Sequence, residues 1–245
     1  MWILILFLIL TAIAGFYTGK MPWFKLENLN SRVILNTTVI VLSVFTILMI
    51  AYSFGYFPQE VAAPFMMVVY SVLAGFFTGY AYRMFNSRVN SGSILYQNRS
   101  FLVDHAPNFF AMALILFGVY RTGILTDIPI TGIRITSGIS IIAFGLLGLT
   151  VKVVPEFRTK GIMFLDRFIH WKHIVAWKWA SEDVIVIEYL EERPAQNEIR
   201  QFLTKIPAEE RKQAESILKM KMDEFAEERS EALMPDDEND KQKSG

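Results

Sequence analysis

Apolar residues run in long blocks through residues 2–154, then give way to an alternation of apolar and polar positions. A block of about 18–20 apolar residues is long enough to cross the hydrocarbon core of a bilayer as a helix. Five blocks reach or approach that length: Trp2–Thr18, Val33–Gly55, Val61–Tyr82, Pro107–Leu125 and Ser137–Val154. The pattern changes at Pro155-Glu156-Phe157-Arg158-Thr159-Lys160-Gly161, which reads as a polar hinge. Beyond it, Gly161–Leu165 and Arg167–Trp171 predict two short strands around Asp166. Lys172–Trp179 predicts another, with Val175, Trp177 and Trp179 on one face and Ile174, Ala176 and Lys178 on the other. Val184–Tyr189, rich in β-branched residues, is the strongest strand signal, and Glu198–Thr204 is a further one. Pro207 opens a helix whose apolar stripe (Ala214, Leu218, Met222, Phe225) closes over the sheet.

The predicted organisation is a five-span helical membrane bundle over 1–154, a small α+β domain over 155–232, and a disordered acidic tail over 233–245. In that tail, Asp236-Asp237-Glu238-Asn239-Asp240 has too little apolar content to fold. Within the bundle, Arg83–His105 is the longest connection. Its Asn90-Ser91-Gly92-Ser93 reads as a turn, and Ile94-Leu95-Tyr96 and Phe101-Leu102-Val103 are short apolar clusters that dock on the membrane surface or on the C-terminal domain.

Charge sharpens this picture. The 245 residues carry a net charge of zero, but residues 1–151 hold eight Lys/Arg and four Asp/Glu, while 152–245 hold sixteen and twenty. With five spans and the N-terminus outside, the inner loops collect Lys20, Lys25, Arg32, Arg83, Arg88 and Arg99, and Lys152, Arg158 and Lys160 follow the last span. The outer loops, 56–60 and 121–136, hold only Arg121 and Arg134. The positive-inside rule therefore favours an N-terminus outside and a C-terminal domain inside, as in a bacterial inner membrane. Ala12-Ile13-Ala14 resembles a signal-peptidase site, but no basic residue precedes the first apolar block, so the expectation is that this span is retained.

Two segments echo each other: Ala14-Gly15-Phe16-Tyr17-Thr18-Gly19 and Ala74-Gly75-Phe76-Phe77-Thr78-Gly79. Small residues four apart let a neighbouring helix approach closely, so Gly15, Gly19, Ser71, Gly75 and Gly79 are the expected helix-packing positions. The partner is another helix of the bundle, a second copy or a different subunit. The echo also suggests a duplicated helical hairpin. No ionisable residue lies deep in a span, which argues against proton-coupled transport.

Candidate chemistry is sparse. With no cysteine, thiolate metal sites, disulfides and cysteine nucleophiles are excluded. His170 and His173 lack a third metal ligand at a convincing spacing, so no metal and no cofactor is expected. Asp104-His105 reads as the polar start of the fourth span before Pro107 rather than a catalytic pair. Lys152, Arg158, Lys160, Arg167 and Lys172 are candidate contacts for anionic lipid headgroups. Residues 152–245 are net acidic, which disfavours nucleic acid as a partner.

The strand series, the Ile169-His170-Trp171 element, the Ile/Val strand and the closing helix resemble the small pleckstrin-homology-like (PH-like) modules of bacterial membrane proteins. That resemblance implies a binding rather than a catalytic domain, although the segment is short for the seven-strand form. The expectation is a non-enzymatic membrane interaction or scaffold subunit, with membrane lipids and other subunits or copies as partners. A channel or small-solute transporter lined by Asn36–Thr38, and a signalling sensor, are the alternatives.

Overall fold

The computed structural model describes residues 2–26, 30–98, 101–127, 129–151, 154–191 and 198–233, without the side chains of 101–104 and 231–233. Lys152 and the tail segment 234–245 lie outside the described residues. The chain divides into two units: residues 1–87 with 101–152, and residues 88–100 with 153–245.

The first unit is helical. Its helices are α1 (Trp2–Lys20), α2 (Ser31–Ser53), α3 (Gln59–Asn90, whose last three residues belong to the second unit), α4 (Phe101–Thr122) and α5 (Gly132–Thr150). Four of them, α1, α2, α3 and α5, are long and apolar enough to cross a membrane. Asn30 caps α2 by accepting from Val33 N–H, and Thr131 does the same for α5 from Arg134 N–H, each satisfying an orphan donor of the first turn. Two of the predicted boundaries shift. At 32 residues α3 is about 48 Å long, more than the bilayer core requires, and it ends eight residues beyond Tyr82. Helix α4 starts at Phe101, so Pro107 sits in the second turn rather than the first.

Helices α1 and α3 pack in parallel, backbone against backbone. A Cβ added at Gly15 would stand 2.3 Å from Val72 O, and one at Gly19 would stand 2.1 Å from Phe76 O. Reciprocally, a Cβ at Gly75 would meet Ala12 O at 2.0 Å, and one at Gly79 would meet Phe16 O at 2.1 Å. The Ser71 hydroxyl donates across the same contact to Leu8 O at 2.6 Å. Helices α4 and α5 pack antiparallel in the same manner, with Gly118 against Gly138 and Gly145 against Ala111 and Ile115. Intrahelical carbonyls take other hydroxyls: Thr78 donates to Ala74 O and Thr46 to Leu42 O, both at 2.8 Å. Helix α2 has no buried residue along its length.

The second unit is a pair of antiparallel sheets closed by a helix. Strands β1 (Ile94–Gln97), β2 (Glu156–Arg158), β3 (Gly161–Phe164) and β4 (Arg167–His170) follow one another in the first sheet. Strands β5 (Ile174–Trp179), β6 (Val184–Glu191) and β7 (Glu198–Lys205) form the second. Helices α6 (Arg211–Glu224) and α7 (Ala226–Leu233) end the described chain. One core joins both sheets and α6: Tyr96, Phe157, Ile162, Ile169, Trp171, Ile174, Ile185, Ile187, Tyr189, Ile206, Ala214 and Leu218.

Three sequence expectations change here. The polar hinge is strand β2, fully buried. Its alternation puts Phe157 in the core, while Glu156 and Arg158, two apart on one face, neutralise each other through Arg158 Nε and Nη2 at 2.8 and 2.6 Å from Glu156 Oε2. The loop before α4 contributes β1, whose Tyr96 pairs with Phe157. In β5 the strict alternation breaks at a bulge between Ile174 and Ala176. Ile174 is therefore in the core, together with the partly buried Trp177 and Trp179 that follow the bulge.

Candidate functional site

Four of the five basic residues singled out as headgroup contacts lie among the described residues, in distinct environments. Arg158 is buried and spends its whole guanidinium on protein: its Nε and Nη2 hold Glu156, and its Nη1 donates to Arg88 O at 3.0 Å and Gly92 O at 2.8 Å. Gly92 is confined to its role by φ of +86° and by Thr159 Oγ1, which stands 1.9 Å from where a Cβ would lie. Arg167 donates to Glu191 Oε1 at 2.8 Å and lies over the Tyr189 ring, 5.1 Å from its centroid. Both arginines hold carboxylates of the sheets, Glu156 and Glu191.

Lys160 and Lys172, in contrast, come together. Lys160 is exposed in the turn between β2 and β3, and Lys172 is half-buried in the single 3-10 turn, Trp171–His173, that follows β4. With His170, His173, Phe225 and Glu228 they line a half-open pocket of about 440 Å³ floored by Trp171. Neither lysine ammonium is hydrogen-bonded or ion-paired among the described residues. The two imidazoles lie 6.0 Å apart edge to face, and the His170 ring meets Phe168 at 4.5 Å.

The frame of this pocket is rigid for local reasons. Trp171 is wholly buried, its indole N–H donates to Arg158 O at 2.9 Å, and its backbone N–H donates to Lys160 O at 3.3 Å. The β2–β3 turn and the 3-10 turn are thereby fixed side by side. On the opposite wall, Arg229 donates from Nε to Ile174 O at 2.9 Å and from Nη2 to Val175 O at 3.1 Å, which ties α7 to the start of β5.

A family described as "Domain of unknown function (DUF5673)" matches residues 153–223. The match runs from just before β2 into α6; β1, α1–α5 and α7 lie outside it. No curated protein and no solved structure matches the chain.

Other predicted positions are accounted for as follows. Gly15, Gly19, Ser71, Gly75 and Gly79 form the contact between α1 and α3. His105 is exposed on α4, and the side chain of Asp104 lies outside the described residues. Asn36, Thr37 and Thr38 are exposed on α2. Among the described residues no group of three His, Cys, Asp or Glu is placed to hold a metal.

Two features are missed by sequence reading. An apolar groove of about 680 Å³ lies between α1, α3 and α5, lined among others by Leu8, Ala12, Met67, Ser71 and Ile139. Arg88 is the other: its Nε and Nη2, the two donors of one guanidinium edge, are buried without a hydrogen-bond partner near Glu156 and Arg158. The signal for it was present, since Arg88, Glu156 and Arg158 supply two cations and one anion, but nothing in their spacing brings residue 88 to residue 156.

Proposed function

We propose that the chain is a polytopic membrane protein of five spans, N-terminus outside and C-terminal unit inside, acting as a non-enzymatic interaction or scaffold subunit. The observation that carries this reading is α2: 23 residues long, apolar enough to cross a membrane, and without one buried residue in its own chain. A soluble protein does not leave such a helix uncovered, and in a bilayer its whole circumference is open to lipid or to another chain. The four other helices spend their glycine stripes on each other. A transport path along those stripes is correspondingly disfavoured, because they are closed by backbone contact.

The C-terminal unit is read as PH-like on two grounds. Four strands and three strands in separate antiparallel sheets, closed by α6, supply the seven-strand count that the segment after residue 155 lacks by itself. The core converges on Ile169 and Trp171, the residues of the Ile-x-Trp element. Such a unit binds; the pocket it carries is the place to look.

Extraction in a mild detergent followed by native mass measurement tests the scaffold reading. Foreign chains retained in fixed proportion are expected. A bare monomer with a reproducible catalytic activity would sink it. Topology is separately accessible because the chain has no cysteine. Tyr56→Cys should be labelled by an impermeant thiol reagent in intact cells, and Lys178→Cys only after permeabilisation.

A further inference from the structure

We propose that the pocket of Lys160, His170, Lys172 and His173 is a binding site for a phosphate-bearing molecule. The pocket lies wholly within the second unit, so the inference stands whether or not the chain is a scaffold.

Charge is the first ground. Two ammonium groups face one carboxylate, Glu228, leaving the pocket with a surplus of positive charge. Four arginines of this unit follow the opposite habit: Arg158, Arg167, Arg200 and Arg211 each hold a carboxylate. Lys160 and Lys172 hold none among the described residues. Two like charges gathered at one concavity repel each other, and an anion entering between them relieves that cost.

Construction is the second. The two lysines stand on turns locked together by the backbone bond from Trp171 N–H to Lys160 O, and the facing wall is clamped by Arg229. Little ordering is left to be done on binding, which is the condition under which a few polar contacts give useful affinity.

Shape and donor type select the ligand. About 440 Å³ falls in the size range of small-molecule sites and exceeds what a bare inorganic anion fills. Ammonium groups are point charges with three rotatable donors, which bond the oxygens of a phosphate from several directions. Phe225 offers an apolar wall to an organic substituent on the phosphate. The same chemistry describes an anionic lipid headgroup and a soluble phosphate ester.

The experiment uses the full chain in nanodiscs of zwitterionic lipid. Glycerol phosphate is titrated calorimetrically, and in parallel discs doped with phosphatidic acid are scored for lipid retained by native mass spectrometry. Binding of at least one of the two is expected, weakened about tenfold or more in the double variant Lys160→Gln with Lys172→Gln, which corresponds to about 1.4 kcal/mol. Binding of the soluble ester assigns the site to a soluble ligand, and retention of phosphatidic acid alone assigns it to lipid. Lys178→Gln, on an ion-paired lysine outside the pocket, should bind as the parent does. The charge-preserving pair Lys160→Arg with Lys172→Arg should recover most of the affinity. If the glutamine pair does not fold, Lys172→Gln alone is read in its place. Neither ligand binding the parent chain, or both binding the glutamine variant as tightly as the parent, would overturn the proposal.

Discussion

At the scale of single residues, the second unit shows how a charge can be either spent or stranded. Glu156 and Arg158 are buried as a pair, and breaking such a pair leaves the survivor uncompensated in a poorly solvated site. Glu156→Gln should therefore lower stability by about 3 kcal/mol or more, seen as a drop in the thermal midpoint of the purified chain. Arg88 is the counter-case. A guanidinium does not shed its proton when buried, and two of its donors have no partner. Arg88→Met should leave stability unchanged or raise it by about 1 kcal/mol, and a loss comparable to that of Glu156→Gln would show that Arg88 is paired in solution.

Tyr96 carries a different signature. Its hydroxyl donates to Glu210 Oε2 at 2.6 Å, and burial first, then that carboxylate, push the phenol well above its ordinary value of 10.0. A pKa raised in the folded state gives stability that is present below pH 10 and is lost as pH rises beyond it. Tyr96→Phe should cost about 1.5 kcal/mol near neutrality and flatten the alkaline limb of the stability curve. Ultraviolet titration should show a late-ionising tyrosine in the parent chain that is lost in Tyr96→Phe. Glu215 runs the other way. The Arg211 side chain, 3.1 Å away, holds its carboxyl below the ordinary 4.5. Its contribution is present above that pH and lost as pH falls through the lowered value. The Arg211–Glu215 pair lies at the protein surface, part-exposed, so the acid limb should move only slightly in Glu215→Gln.

At the scale of elements, the parallel contact of α1 with α3 explains the sequence echo without a duplication. Two parallel helices related by a local two-fold present the same face to each other, so both need small residues at matching heights. Gly15 and Gly75, and Gly19 and Gly79, occupy those heights. Gly75→Leu should separate the helices and unfold the first unit at markedly lower temperature, because its Cβ alone would sit 2.0 Å from Ala12 O. Ser71→Ala should cost only about 0.6 kcal/mol, since the interhelical hydrogen bond it removes competes with partners available before packing. Equal effects of the two substitutions on the thermal midpoint would contradict this account of the contact.

At the scale of the molecule, each unit buries a different kind of surface. The helices leave apolar side chains outward along most of their length, and α2 does so entirely. The sheets enclose a core of twelve buried residues in which six isoleucines and one tryptophan predominate. The chain alternates between the units: residues 88–100 leave the helical unit, add β1 to the first sheet, and return into α4. The chain thus crosses between the two units three times, and the sheet unit is incomplete without residues that precede α4.

What the sequence determined alone is whatever rests on local pattern. Long apolar blocks gave all five helices, period-two alternation gave β3 to β7, and spacings of four and three gave the inward face of α6 at Ala214 and Leu218. The same holds for the glycine stripes, whose spacing marks a close contact wherever the partner stands. What only the tertiary structure decided depends on residues far apart in the chain. Strand β1 is four residues whose strand character comes from pairing with β2 some 60 positions later. Strand β2 looked like a hinge because Glu156 and Arg158 are charged; that they face one another, and that Gly92 and Arg88 carbonyls complete the guanidinium's partners, is a fact of the fold. The sorting of Arg158 and Arg167 into the sheets and of Lys160 and Lys172 into the pocket is of the same kind. Charge is visible in a sequence, but whether a charge has a partner is settled only by what the fold brings within reach of it.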